Sequence, residues 1–255
     1  MLNIRLNLRR VAMRSACLVV IIMLASCNKD EAPKEDVFLL EEILWAGSDI
    51  YRSVFEYDSH ERLIKHTYFN NNDLPLIVDS LIYNAEGDLV ECTLNFFDAF
   101  SSLPGRITKF IKRDNMIYAN YGVIIELNGQ GLPVNHKIYE DEETLIWQNG
   151  NLVKREKVGV LSSAPLHSIS TYTHDNRKSP FYHCKTPKWF FIWFMGMGGF
   201  DGFSNANNII EQKTIVNDDI WDIPPIDYTY NNNGFPATSR QQRTVTTSIY
   251  RYLKR

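Results

Sequence analysis

The feature that most constrains the fold is a phrase repeated along the chain. A short run of apolar and aromatic residues ends in a large side chain, a polar turn rich in Asn, Asp or Gly follows, and a second run begins. Four copies share one register, at 55–63, 81–89, 125–133 and 228–236, with anchors Tyr57, Tyr83, Leu127 and Tyr230. Residues 146–152 form a version one residue shorter, and 171–176 a degenerate one. Asn, Asp and Gly tolerate the positive φ of tight turns, while the flanking aromatic and β-branched residues suit a half-buried pleated face, so each copy reads as a β-hairpin. The anchors are unevenly spaced, which excludes a solenoid of fixed period. The fold class expected is all-β: a twisted antiparallel meander of hairpins, curling toward a barrel to hide its edges. Alternation over 138–140 and 244–252 adds one dry and one wet face to those strands.

One segment breaks the pattern. In 186–196, Thr186 stands at an N-cap position and Pro187 at the first helical position, with closing glycines beyond, which predicts a short helix. It is apolar nearly all round, and such a helix belongs in a core, here as a plug or lid on the open end or face of the sheet. The competing reading leaves Trp189 and Trp193 partly exposed, to stack on a glycan or enter a membrane.

The N-terminus carries an address. Arg5, Arg9, Arg10 and Arg14 precede an uncharged apolar stretch from Ala16 to Ala25, a signal-peptide layout too short for the roughly 20 residues that span a bilayer. Leu24-Ala25-Ser26-Cys27 resembles the bacterial lipobox, which makes Cys27 the lipidation site and divides the chain into a signal peptide (1–26), a lipidated tether (27–36) and one β domain (37–255). Cleavage removes four arginines and no acidic residue, so the formal charge falls from −3 to −7. An acidic chain offers no basic surplus for phosphate, so nucleic acid is not an expected partner. Membrane contact is expected through acyl chains on Cys27, each buried methylene contributing about 0.8 kcal/mol. Asn28-Lys29-Asp30-Glu31 after the cysteine resembles the charged export signal of surface-exposed lipoproteins, so the expected location is the outer membrane facing outward, with a periplasm-facing position second.

The four hairpin phrases, together with 174–181 and Asn205-Ala206-Asn207-Asn208-Ile209, resemble a family of Bacteroidetes lipoproteins that have a domain of unknown function and Tyr-Asp repeats like those of Rhs proteins. The resemblance covers most of 50–255 and implies a curved or porin-like all-β sheet. It brings no catalytic residues. The first repeat departs from the pattern at Ser59-His60-Glu61-Arg62, where the turn glycine is missing.

The chain has no Cys-x-x-Cys, His-Glu-x-x-His, Gly-x-Ser-x-Gly or P-loop motif. The glycine-rich run at 196–202 has Asp201 where a dinucleotide fingerprint needs its last glycine, and reads as a turn. Asp141-Glu142-Glu143 and Asp218-Asp219 read as solvated hairpin tips. His66, Cys92 and His136 each fall nine residues after an anchor, but equivalent strands of successive hairpins lie about 9.6 Å apart, too far to converge on one metal. Neither metal nor cofactor is expected. After lipidation Cys92 and Cys184 remain, a pair that an oxidising envelope could join for roughly 4 kcal/mol. The function expected is non-catalytic binding of a ligand or partner, a glycan among the candidates, with a structural role in the envelope as the alternative and a glycan- or peptide-acting hydrolase as a third.

Overall fold

The repeated turns are built alike, and each is held by its first side chain. In the computed structural model, which describes residues 35–47, 51–97, 105–161, 164–194 and 201–255, Asp58 donates its N–H to the carbonyl of Arg62 (3.0 Å). Its Oδ1 accepts the N–H groups of His60 (2.9 Å) and Arg62 (3.0 Å). Asn128 and Asn231 do the same with the residues two and four further on, and Asn84 accepts from Asp88. The fourth turn residue must enter the left-handed region: Gly87, Gly131 and Gly234 take φ of 90°, 74° and 80°, and Glu61 is held there at 65°. A bulge at each anchor (Tyr57, Tyr83, Leu127, Tyr230) completes the unit. A fifth unit, with Asp in place of the turn glycine, starts at Asn70, whose Oδ1 accepts from Asn72 and Leu74 while Asp73 takes φ 60°.

Among the described residues, seventeen strands form one antiparallel sheet. They are β1 (Phe38–Ala46), β2 (Tyr51–Tyr57), β3 (Leu63–Phe69), β4 (Pro75–Tyr83), β5 (Leu89–Phe96), β6 (Arg106–Arg113), β7 (Met116–Ala119), β8 (Val123–Leu127), β9 (Pro133–Ile138), β10 (Asp141–Gln148), β11 (Asn151–Leu161), β12 (Ala164–Lys178), β13 (Asn207–Val216), β14 (Asp219–Ile223), β15 (Ile226–Tyr230), β16 (Pro236–Gln241) and β17 (Thr247–Lys254). Each strand from β1 to β13 pairs with its successor, as do β15 and β16, and β1 also pairs with β17. The meander therefore curls until first and last strands meet, yet the sheet does not close. Pro224 and Pro225 stand between β14 and β15, where they supply no backbone N–H, and no ladder joins those two strands among the described residues.

Two expectations need correction here. Residues 171–176 are no hairpin: β12 runs through them with a bulge and on to Lys178, although Asp175 Oδ1 accepts the Arg177 N–H (3.0 Å) as a turn residue would. Its carboxylate accepts from the N–H and Nδ2 of Asn208 and from the Tyr230 hydroxyl, tying β12 to β13 and β15 across the seam. The helix, α1 (Lys188–Trp193), begins one residue later than Thr186 at an N-cap would place it. Pro187 takes the cap position, and Thr186 Oγ1 instead accepts the N–H of Leu63 (2.8 Å) and meets the Tyr83 hydroxyl (2.9 Å).

Strand polarity gathers the turns at 58–62, 84–88, 128–132, 149–150 and 231–235 at one end. The segment carrying α1 docks there: Lys185 donates its N–H to the Glu61 carbonyl, Lys188 Nζ donates to Gly150, and the Leu152 N–H donates to Asn205 Oδ1. Signal peptide, Cys27 and most of the tether lie outside the described residues, as do the glycines at 196, 198 and 199. Val37–Arg255 is one compact unit.

Candidate functional site

Cross-strand pairing decides which side chains face inward, and the inner face has two characters. Around β2 to β8 it is apolar, with Phe55, Leu63, Leu89, Phe110, Ile117 and Ile125 buried against the helix. The helix fills this half with Trp189, Phe190 and Phe191. Trp189 is only 3 % exposed, its ring 4.9 Å from that of Phe110, and Phe191 stacks on Phe181 at 4.6 Å. Trp189 is thus core, and the premise that it faces a ligand at the surface is corrected: a helix apolar on every side gains most by burying all of them.

Around β10 to β13 the inner face is mixed: Leu145 and Leu152 form a small buried cluster with Ile192 of the helix, and beside it lies a polar patch centred on Glu143. A solvated tip was expected for 141–143, but the tip of that hairpin is Tyr139-Glu140, with Tyr139 at φ 53°. Asp141 opens β10, and alternation turns Glu143 inward, where it is buried. Arg155, opposite Leu145 on β11, grips both carboxylate oxygens with Nη2 (3.1 and 2.9 Å). Trp193, at the end of α1, donates Nε1 to Oε2 (2.8 Å). A buried carboxylate needs such partners to offset the several kcal/mol lost on desolvation. His136 pairs with Glu143 across β9 and β10 and stacks on Trp193 at 4.4 Å. Its Nδ1 stays 3.9 Å from the carboxylate, too far for a hydrogen bond. Burial presses the His136 pKa below the usual imidazole value; Glu143 opposes this, and Arg155 and Lys157 reinforce it.

Above this floor opens a cleft of about 370 Å³, lined by Glu143, Arg155, Lys157, Ser168, Ser170, Tyr172, Ile209 and Gln212. The Ser170 and Thr214 hydroxyls meet at 2.9 Å. Lys157 is held by Asp141 (3.4 Å), whose carboxyl sits below its usual pKa, chiefly because it accepts the Val160 N–H and also because of Lys157. Gly159 makes room: a Cβ there would lie 2.0 Å from Asp141 Oδ1. The cleft therefore offers balanced charges, hydroxyls, an amide and one aromatic ring. Of the two tryptophans expected to meet a ligand, Trp193 approaches the cleft, from below, through Glu143.

His66 and Cys92 go elsewhere. Ser53 Oγ lies 2.8 Å from His66 Nε2, and His66 Nδ1 lies 2.9 Å from Asp79 Oδ2, across β2, β3 and β4. The order serine, histidine, aspartate matches that of a hydrolase relay, but the three are 0 %, 1 % and 0 % exposed. The three are shut off from solvent in this conformation, a row of buried polar groups inside the filled half in which Asp79 Oδ1 keeps no hydrogen-bond partner among the described residues. No sequence motif marks it, since its members are far apart in the chain and meet only through strand register. Cys92 is buried and Cys184 half-buried, both as free thiols, and burial pushes both pKa values up.

No protein-family model and no curated protein sequence matches the chain. Among solved structures it is similar to a porin-like protein from Bacteroides vulgatus ATCC 8482, with 11 % identity and a TM-score of 0.44 over 85 % of this chain and 99 % of that one. It is also similar to a porin-like protein from Bacteroides uniformis ATCC 8492, with 13 % identity and a TM-score of 0.43 over 84 % and 96 %. Function is read from this chain's own side chains.

Proposed function

We propose that the protein is a lipid-anchored envelope protein, held to the outer membrane through Cys27, that binds a small polar ligand in the cleft above Glu143 without transforming it. The observation that carries this reading is the polar cleft on the inner face, furnished with a fixed ion pair and hydroxyls, beside a half packed with aromatic and aliphatic side chains. Binding is favoured over catalysis because the Glu143 oxygens are already engaged by Arg155 and Trp193, which leaves them badly placed to take a proton from a substrate. Attachment by lipid is favoured over insertion by the outward face, which carries Glu56, Lys65, Lys109, Lys137, Lys154 and Glu156 within its strands. A barrel that spans a membrane turns an apolar band about 25 Å tall outward, and charge there is costly.

The test is thermal-shift screening of the purified protein with a panel of sugars, amino acids and short peptides, beside Ser170→Ala and Lys157→Met. A ligand that raises Tm in the wild type and not in these variants supports the reading. A ligand equally effective in all three places binding elsewhere. For the alternative role, as a structural component, one feature speaks: Ile220 and Trp221 are 80 % and 60 % exposed on β14, the strand at the open seam.

A further inference from the structure

A second cleft differs from the first in what it lacks. It lies on the inner face of β1 and β15 to β17, has a volume of about 440 Å³, and is lined by Trp45, Tyr228, Ser239, Gln241, Thr246 and Tyr250, with Ile226, Thr244 and Ser248 between them. Not one of the nine carries a charge. Strand register puts them on one surface: Trp45 faces Ser248 across β1 and β17, Ser248 faces Ser239, and Ser239 faces Tyr228.

The aromatic rings are fixed in place. Trp45 packs against Tyr68 at 5.8 Å and 66°, and Tyr68 stacks on Tyr51 at 5.8 Å and 6°. The Tyr250 hydroxyl meets Ser239 Oγ at 2.7 Å, and Tyr228 stacks on Tyr230. Burial raises the pKa of both Tyr228 and Tyr250, so these phenols add no charge near neutral pH. Around the rings stand groups that both donate and accept: the hydroxyls of Ser239, Thr244, Thr246 and Ser248 and the amide of Gln241.

A binding site takes its character from a mostly apolar lining with a few placed polar groups. Rigid ring faces suit the C–H surface of a pyranose, and hydroxyls and an amide suit its equatorial oxygens. An ionic ligand would have to give up its water with nothing of opposite charge in return. We infer that this cleft is a site for an uncharged sugar ring, distinct from the cleft at Glu143 and built from none of the same residues.

The experiment is saturation-transfer NMR and tryptophan fluorescence on the whole purified chain, with glucose, galactose, mannose, N-acetylglucosamine and their common disaccharides as probes and glucuronic acid as the charged comparison. The expected result is saturable binding of at least one neutral sugar, with glucuronic acid at least ten-fold weaker. Trp45→Ala should weaken it by at least ten-fold. The exposed Thr246→Ala, which leaves the core untouched, should weaken it several-fold. Lys157→Met, which alters only the charged cleft, should leave it unchanged. The inference is overturned if no neutral sugar in the panel binds, if binding survives both Trp45→Ala and Thr246→Ala, or if glucuronic acid binds equally well. Loss in Lys157→Met alone would move the sugar to the first cleft, supporting the proposed function and defeating this inference.

Discussion

The two halves of the sheet are made of the same hairpins and differ in what their inward residues are asked to do. From β2 to β8 the inner positions are mostly Phe, Leu and Ile around the buried Ser53, His66 and Asp79, and α1 adds three more aromatic side chains, so the interior is closely packed. From β10 to β17 the buried Leu145, Leu152 and Tyr250 share the inner face with Glu143, Arg155, Lys157, Ser168, Ser170 and the residues around Tyr228, and clefts remain between them. One half therefore stabilises the fold while the other carries open polar surface. A repeated turn fixes strand direction but not what the strands enclose.

The largest effects should come from the filled half. Phe190, fully buried, should cost about 3–5 kcal/mol when replaced by alanine, whereas Ser170→Ala in the polar half should cost no more than about 1.5 kcal/mol. Urea denaturation of both variants measures the difference, and equal costs would erase the distinction between the halves. The exception within the polar half is its ion pair. Arg155→Met leaves Glu143 buried with only Trp193 to support it and should cost about 3 kcal/mol, while the double variant with Glu143→Gln should recover much of that loss. A thermodynamic cycle of the four proteins would show it, and additive costs would deny the coupling.

Next in size is a pH effect. The pKa values of His136 and His174 are both lowered, chiefly by burial, so the unfolded chain binds more protons than the folded one as pH falls through the ordinary imidazole value near 6.5. Their contribution is fully present above that value and is lost below it. Stability measured from pH 7.5 to 5 should decline with acid, and less steeply in His136→Phe; an unchanged slope in that variant would remove His136 from the account. The smallest effect belongs to the turns. Glu61 holds φ 65° where sister turns have glycine, so Glu61→Gly should stabilise by about 0.5–1 kcal/mol, while Gly131→Ala should destabilise by a similar amount. Chemical denaturation of the pair checks the sign.

The turns were the legible part of this sequence, because the first Asx residue and the fourth, left-handed residue are fixed by local backbone geometry. Even so, Asn70–Asp73 hides its turn: it has Asp in place of the glycine, although Asn70-Asn71-Asn72 matches Asn231-Asn232-Asn233. Residues 171–176 differ: their Asp175 makes the local contact of a turn residue, to the Arg177 N–H, but its carboxylate also binds Asn208 and Tyr230, partners that only the folded sheet supplies, and the strand continues. The apolar helix was visible as a segment that must be buried. The site was not visible. Glu143 in a run of three acids looks solvated until the two-residue turn at Tyr139-Glu140 sets the parity of β10, and its partners Arg155 and Trp193 stand 12 and 50 positions away.

The most direct test of the central claim, one half solid and the other open to solutes, is thiol labelling of the reduced native protein with a small neutral maleimide, mapped by peptide mass spectrometry. A cysteine placed in the first cleft as Gln212→Cys should label rapidly, while Cys92 should label only on unfolding. Protection of the new thiol, or labelling of native Cys92 at a comparable rate, would contradict it.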